Sequence, residues 1–201
     1  MTGTFSEEYL NSLDPFYADQ IRQGAERAKM YEQIWSKSDG KVNSGFTHDF
    51  SKDCDGCTEK LYQGERNEKG LRHGKGRFEF FWDGSVYEGD WVDDKRHGFG
   101  KHTWLNGASY TGEYANDRRE GFGTYVYPSG GVYTGQYKDN KPHGKGRHVF
   151  KGANDGDVYE GDHLNGLKHG HGTLVYNTGE KYVGEWLHSG TKFSVQNSIR
   201  L

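Results

Sequence analysis

The chain has 201 residues and a formal net charge of −3, values typical of an ordinary small folded protein. Only 31% of the residues are hydrophobic, but 14 Tyr, 11 Phe and 5 Trp supply large rings that can be buried. A disordered chain is poor in such rings, so we expect a fold. The sequence shows no run of 18 apolar residues, and its first residues lack the basic and apolar regions of a secretory signal. We therefore expect an intracellular, cytoplasmic protein without a membrane span.

Residues 1–40 form the first predicted segment, which centres on an amphipathic helix. Asp14 and Pro15 suit the N-cap and the first helical position, and the polar run 36–40 suits a helix end. Between them, apolar and small residues recur every three or four positions on one helix face. Either this face packs on the protein's own repeats, which we favour, or it docks on a partner. The stripe consists of Tyr17, Ile21, Gly24, Ala28, Tyr31 and Trp35, and the candidate docking residues are Tyr17, Ile21, Tyr31 and Trp35.

Residues 41–61 are predicted to be a lead-in that covers the first strand of the following region. Phe46 and Phe50 precede a turn signal between Cys54 and Cys57. A zinc site needs four ligands and the sequence has no second Cys pair, while a redox site would require a βαβ context. We expect two reduced thiols and no cofactor.

A Tyr-x-Gly unit recurs about every 23 to 26 residues and is the strongest pattern in the chain. Five of the six units are followed by a Gly-x-Gly unit. Such a period indicates a repeat protein, in which each supersecondary unit is stabilised by its neighbours. The Tyr-x-Gly units begin at Tyr62, Tyr87, Tyr110, Tyr133, Tyr159 and Tyr182, and the Gly-x-Gly units at Gly74, Gly98, Gly121, Gly144 and Gly170.

One repeat is predicted to be a β-hairpin. After Tyr87, the alternation of Gly and Trp91 with acidic residues has the period of a half-buried strand. The polar run 92–96 suits a turn, and the chain resumes through Gly98 to the turn dipeptide at Asn106. In each second strand, glycines and mostly aromatic rings share one face. Glycine weakens a strand unless something approaches the backbone closely, and the expected occupant is an aromatic ring of a neighbouring strand.

At these residues the chain resembles MORN (membrane occupation and recognition nexus) repeats, from about residue 62 to 190. The resemblance rests on Tyr87-Glu-Gly-Asp-Trp followed by His97-Gly-Phe-Gly, and on the matching run from Tyr133. Arg66 and His163 stand where a Trp or Tyr is usual, residues 152–157 are an insertion, and the sixth repeat is a half-unit. The resemblance implies an all-β fold, an elongated, twisted single-layer antiparallel sheet of about eleven strands with a concave aromatic groove. Residues 191–201 are expected to form a closing strand or tail.

The groove is the predicted binding surface, because an exposed aromatic row on a folded protein is suited to a partner. The resemblance implies a non-enzymatic scaffold for protein partners, similar to small MORN proteins of cilia and other cytoskeletal structures; it leaves a homodimer open. No nucleophile motif or phosphate loop points to an enzyme. The groove residues are Tyr87, Trp91, Trp104, Tyr110, Tyr114, Tyr125, Tyr127, Tyr133, Tyr137 and Phe150.

Basic residues in the hairpin turns predict a second, competing surface. Aligned along one sheet edge, they could read anionic membrane phospholipids. Acidic residues in the same turns dilute this charge, and the near-neutral repeat region argues against nucleic acid as a partner. The basic edge consists of Lys95, Arg96, Arg118, Arg119, Lys141 and Lys168.

Histidines precede the first glycine of four repeats and invite a metal interpretation. Equivalent residues of successive hairpins lie roughly 10 Å apart, far beyond the reach of one zinc ion. We therefore predict no metal site and a structural role in or near the turns. The four are His73, His97, His143 and His169.

Overall fold

A computed structural model describes residues 62–187 except 81, 82 and 153, together with residues 15, 18, 19, 22 and 26 and the pair 198–199. Within these residues the chain forms one antiparallel sheet of twelve strands, which is not closed into a barrel. The strands are β1 (Tyr62–Arg66), β2 (Arg72–Glu79), β3 (Val86–Val92), β4 (Lys95–Thr103), β5 (Ser109–Ala115), β6 (Arg118–Val126), β7 (Val132–Lys138), β8 (Lys141–Val149), β9 (Val158–Leu164), β10 (Leu167–Val175), β11 (Lys181–Trp186) and β12 (Ser198–Ile199).

Strand pairing follows the chain order from β1 to β12, so every described strand pairs only with its sequence neighbours. This confirms the predicted single-layer sheet of stacked hairpins. The short β12 adds two residue pairs to β11, Lys181 with Ile199 and Tyr182 with Ser198. The predicted segment boundaries remain predictions.

The hairpin within a repeat closes through a two-residue turn. Asp93 and Asp94, between β3 and β4, both have positive φ, 46° and 67°. Two successive positive φ values define a type I′ turn, whose twist matches that of the flanking strands. Asp and Asn tolerate this left-handed conformation better than other residues with a side chain. The equivalent turns are Asn116-Asp117, Asp139-Asn140 and Asn165-Gly166.

A column of paired glycines crosses the sheet, and tyrosine rings lie on it. Gly89 pairs with Gly100, and a Cβ atom on Gly89 would come within 2.5 Å of the Gly100 Cα atom. A Cβ atom on Gly100 would overlap the ring of Tyr87. The predicted reason for these glycines, the close approach of an aromatic ring, is therefore confirmed.

Each Gly-x-Gly unit also contains a β-bulge that sequence reasoning missed. Gly89 pairs with Gly100 but the next residue, Asp90, pairs with His97, so two residues of β4 bulge outward. Gly98 has a φ of 58° in this bulge, and the Phe99 N–H donates to Asp90 Oδ2 at 3.0 Å. The same acceptor role belongs to Glu65, Gln136 and Asp162. The signal was present in the sequence, because every Tyr-x-Gly unit is followed by Glu, Asp or Gln.

The five described residues before the sheet are helical: Pro15, Ala18, Asp19, Arg22 and Glu26. No helix among the described residues is long and apolar enough to cross a membrane. The predicted docking residues Tyr17, Ile21, Tyr31 and Trp35 lie outside the described residues, as do the lead-in with Cys54 and Cys57 and residues 191–197.

Candidate functional site

One face of the sheet carries all ten predicted groove residues, and we call it the aromatic face. Its rings form two layers that differ in exposure. Tyr87, Trp91, Tyr110, Tyr114, Tyr133 and Tyr137 are all buried to 5% exposure or less. Trp104, Tyr125, Tyr127 and Phe150 are only half-buried.

The deeper layer is a continuous zigzag of edge-on ring contacts. Tyr110, for example, packs against Tyr114 at 5.2 Å and against Tyr137 at 5.1 Å between ring centroids, with interplanar angles of 88° and 81°. Each such contact contributes about 0.5 to 1.5 kcal/mol beyond the buried area. This buried ring row runs through Tyr62, Trp91, Tyr87, Tyr114, Tyr110, Tyr137, Tyr133, His163, Tyr159, Trp186 and Tyr182.

Hydrogen bonds fix the six repeat tyrosines of this row, whereas the buried Tyr114 hydroxyl has no hydrogen-bond partner among the described residues. The hydroxyl of Tyr110 donates to the carbonyl of Glu113, three residues later, at 3.0 Å, and the other five repeat tyrosines make the same contact. Burial raises the pKa of Tyr110 and Tyr114 well above the usual tyrosine value. Apart from Tyr182, which is half-buried, the row therefore acts as a core that leaves little ring surface for a partner.

Two repeats depart from the aromatic pattern, and the structure accommodates both. Arg66 places its guanidinium over the Tyr62 ring at 5.1 Å. His163 takes its place in the buried ring row, 5.0 Å from Tyr133 and 5.1 Å from Tyr159. Burial lowers the pKa of His163 to about 4, so this imidazole is neutral at pH 7.

The upper layer is a second line of rings, and we call it the outer ring row. Consecutive rings along it have centroid separations of 4.0 to 5.7 Å, and four of the six contacts are face-to-face stacks of a histidine on a larger ring within 25° of parallel. Apart from His102, which is buried, the rings are half-buried. The row consists of Phe80, His102, Trp104, Tyr125, Tyr127, His148 and Phe150.

His102 is held in one orientation at the centre of these stacks. Arg96 Nη1 lies 3.1 Å from its Nδ1, and Ser85 Oγ lies 2.9 Å from its Nε2. Because Arg96 can only donate, Nδ1 accepts and Nε2–H donates to Ser85. Burial, with the nearby Arg96 charge, lowers the pKa of His102 to about 4. The ring therefore stacks as a neutral aromatic.

Cations from the hairpin turns lie over the rings of the aromatic face. The Arg119 guanidinium is 5.5 Å from the Tyr110 ring and 5.3 Å from the Tyr125 ring, within the cation–π range. Arg96 and Lys168 lie over other rings in the same way. The predicted basic edge is therefore divided: Arg96, Arg119 and Lys168 project over the aromatic face, while Lys95, Arg118 and Lys141 are exposed on the other side of the turns.

The arginines are also tied to the next hairpin turn. Asp117 Oδ1 accepts from both the backbone N–H and Nε of Arg96 at 3.0 Å, and the Asp117 carbonyl accepts from Arg96 Nη2 at 3.0 Å. Arg72 with Asp94 repeats these contacts. Arg119 with Asn140 repeats the contacts of the backbone N–H and of Nη2. We call this chain of contacts the turn ladder. It holds each guanidinium over the rings before any partner arrives.

The MORN repeat family model matches residues 68–84, 87–109, 110–132, 133–152 and 159–181, which together exceed half of the chain. The chain belongs to the MORN repeat family. Each matched segment includes a type I′ turn or the longer loop of the first hairpin, and four of the five carry the tyrosine that lies on the glycine column. MORN repeats indicate a protein-interaction or membrane-associated repeat protein, and the family is generally non-enzymatic.

The other two comparisons provide less information about this chain. No curated protein matches the chain. One similar solved structure is the SAS-4 (dCPAP) TCP domain in complex with a proline-rich motif of Ana2 (dSTIL) of Drosophila melanogaster, at 13% identity and a TM-score of 0.35. The alignment covers 55% of this chain and 59% of that one. A TM-score at this level is too low to indicate a shared fold or a shared partner.

The histidines before the MORN glycines lie near turns. His73 Nδ1 is 3.5 Å from Asp93 Oδ1 of the next hairpin. In the part of the chain that the structure describes, no three His, Cys, Asp or Glu side chains are grouped to hold a metal ion.

Proposed function

We propose that this MORN repeat protein is a non-enzymatic scaffold that binds a protein segment along the outer ring row. The observation that carries this proposal is the division of the aromatic face. The buried ring row is covered by its own ring contacts, whereas Trp104, Tyr125, Tyr127 and Phe150 keep half-exposed rings on a rigid support. Aromatic residues held in this way are enriched at the centres of protein interfaces.

The length of the outer ring row indicates how long a partner segment it can bind. From β2 to β8 it crosses six strand spacings, about 29 Å. An extended segment of about nine residues, or a helix of about five turns, has this length. The row runs across the strands, so a partner lying along it meets side chains and not the backbone of a sheet edge. Recognition therefore rests on ring contacts.

Charge is expected to contribute little to affinity. The guanidinium of Arg96 is already bound to Asp117, and the backbone and Nη2 contacts of Arg119 go to Asn140. Cations engaged in this way orient a partner more than they attract an acidic one. We propose that the complex forms in the cytoplasm, within a ciliary or other cytoskeletal assembly, as the family resemblance implies.

The test uses three variants of the full chain. Trp104→Ala and Tyr127→Ala truncate the outer ring row, and Phe99→Ala removes a half-buried ring from the opposite face as the matched control. A partner captured by wild type and by Phe99→Ala is purified, and its Kd is measured. We expect each row variant to weaken binding by at least about 2 kcal/mol, roughly 30-fold. Equal binding by a folded double variant would reject the proposal.

A further inference from the structure

The face opposite to the aromatic face carries an uninterrupted aliphatic line that the proposed function does not use. Five valines pair with one another across consecutive strands from β6 to β10. Four are half-buried, and Val175 is 38% exposed. We call this line the valine row: Val126, Val132, Val149, Val158 and Val175.

Burial beside the valine row is greatest at Thr134. Thr134 is only 4% exposed, although Thr111, at the equivalent position one repeat earlier, is half-buried. Thr134 and its cross-strand neighbour Arg147 both point away from the aromatic rows, so those rings cannot cover them. Burial also lowers the pKa of Arg147. Thr134 Oγ1 also lies 3.1 Å from Thr124 Oγ1, so β7 is the most deeply buried part of this face among the described strands.

The described residues before the sheet show a helix with one buried side. Ala18 is 3% exposed, whereas Pro15, Asp19 and Glu26 are exposed. At 100° per residue, these three exposed positions lie on the side of the helix opposite to the apolar stripe that begins at Tyr17. The exposed positions therefore lie away from the predicted stripe. Ala18 lies between the two sides, about 100° from the middle of the stripe, and Arg22, close to the exposed positions, is half-buried.

We propose that the helix predicted from Pro15 to about Trp35 packs across the valine row with its apolar stripe. A 21-residue helix is about 32 Å long, and the row crosses four strand spacings, about 19 Å. Residues 36–61 connect the helix to β1 and can span up to about 85 Å, more than the roughly 34 Å from β1 to β8. One half of the single-layer sheet thereby gains the second layer that most domains need. The aromatic face stays free.

Hydrogen exchange on the full chain tests this packing. We expect amides of residues 15–35 to be protected in the wild type. Val149→Asp should raise their exchange at least tenfold while peptides from β6 to β9 stay protected. The matched control is Thr103→Asp, which occupies the same register position before the valine row begins and should change nothing in residues 15–35. Unprotected 15–35 amides in the wild type, or protection that survives Val149→Asp, would overturn the proposal.

A second measurement applies if Val149→Asp unfolds the repeats. Hydroxyl-radical labelling reports the exposure of the valine side chains directly. Ile21→Asp should increase labelling of Val132 and Val149 several-fold, whereas Glu26→Gln on the solvent side should not. Unchanged labelling would overturn the proposal. Protection that disappears on dilution would also overturn it, because the cover would then be a second copy of the chain.

Discussion

The ring of Tyr110 lies directly on the backbone of Gly123, so closely that a Cβ atom at position 123 would overlap the phenol oxygen. We expect Gly123→Ala to lower the free energy of unfolding by about 2 to 3 kcal/mol, because the ring must leave both the glycine and its hydrogen bond to Glu113. Denaturant unfolding measures this change.

Gly107→Ala is the matched control for this prediction. Gly107 has a φ of 84° and open space where a Cβ atom would lie. Gly107→Ala should therefore lower the free energy of unfolding only by the strain of a left-handed alanine, about 1 kcal/mol. Equal losses in the two variants would show that the Tyr110 contact does not require glycine.

The turn ladder gives a second prediction. Asp117→Gly should lower stability by about 1 kcal/mol, because the backbone N–H and guanidinium of Arg96 lose their acceptor while glycine keeps the φ of 68° unstrained. Asp117→Asn should restore most of the loss, since Asn140 already accepts from the Arg119 N–H in the next repeat. Thermal unfolding of both variants checks this, and an asparagine variant as unstable as the glycine variant would contradict it.

The free energy of unfolding is predicted to decrease as the pH falls from 6.5 to about 4. His102, His148 and His163 have pKa values lowered to about 4 by burial, against about 6.5 when unfolded. The unfolded chain therefore binds protons in this window and the folded chain does not, so the stability present above pH 6.5 is lost as pH falls.

His163→Tyr tests this window, because tyrosine or tryptophan fills the same place in four other repeats. The variant should keep the buried ring row and show a flatter dependence of Tm on pH between 6.5 and 4. A slope unaltered by His163→Tyr would show that His163 does not titrate on unfolding.

Vesicle binding distinguishes the proposed protein scaffold from an adaptor that binds anionic phospholipids. Of the predicted basic edge, Lys95, Arg118 and Lys141 are exposed, and Arg118 forms an ion pair with Asp139, whereas Arg96 and Arg119 are tied into the turn ladder. We expect little binding of the full chain to phosphoinositide vesicles at physiological salt. If binding occurs, neutralising the three cations should remove it, at about 1 kcal/mol per charge, and Trp104→Ala should not affect it. Salt-resistant micromolar binding would favour the membrane role.

The sequence predicts the sheet well because tyrosine and glycine recur in one phase, and that phase fixes both the hairpin and the ring that covers it. The β-bulge was not predicted because the two residues that form its hydrogen bond are far apart in the sequence. Asp90 and Phe99 are nine residues apart, and only their pairing in space shows that the carboxylate serves the Phe99 N–H. Single-sequence reasoning interpreted Asp90 only as the polar side of a strand.

The candidate site was predicted in outline but not in depth. All ten groove residues share a face, but period alone cannot distinguish Tyr114, which is buried, from Tyr127, which is half-exposed. Exposure depends on the cross-strand register and on ring stacking. The placement of Arg96 and Arg119 over the rings was not predicted. Both residues lie in turn-proximal positions of β4 and β6, where the alternation of side chains continues and directs them to the aromatic face.

Pairing restricted to sequence neighbours has a consequence for how the chain acquires its structure. Each hairpin closes within about 25 residues, so little loop entropy must be lost before contacts form. Folding can therefore begin at any hairpin and spread in both directions, and it should be fast for an all-β protein, since sheets that pair distant segments fold slowly. A nascent chain can complete its first repeats while later ones are still being synthesised.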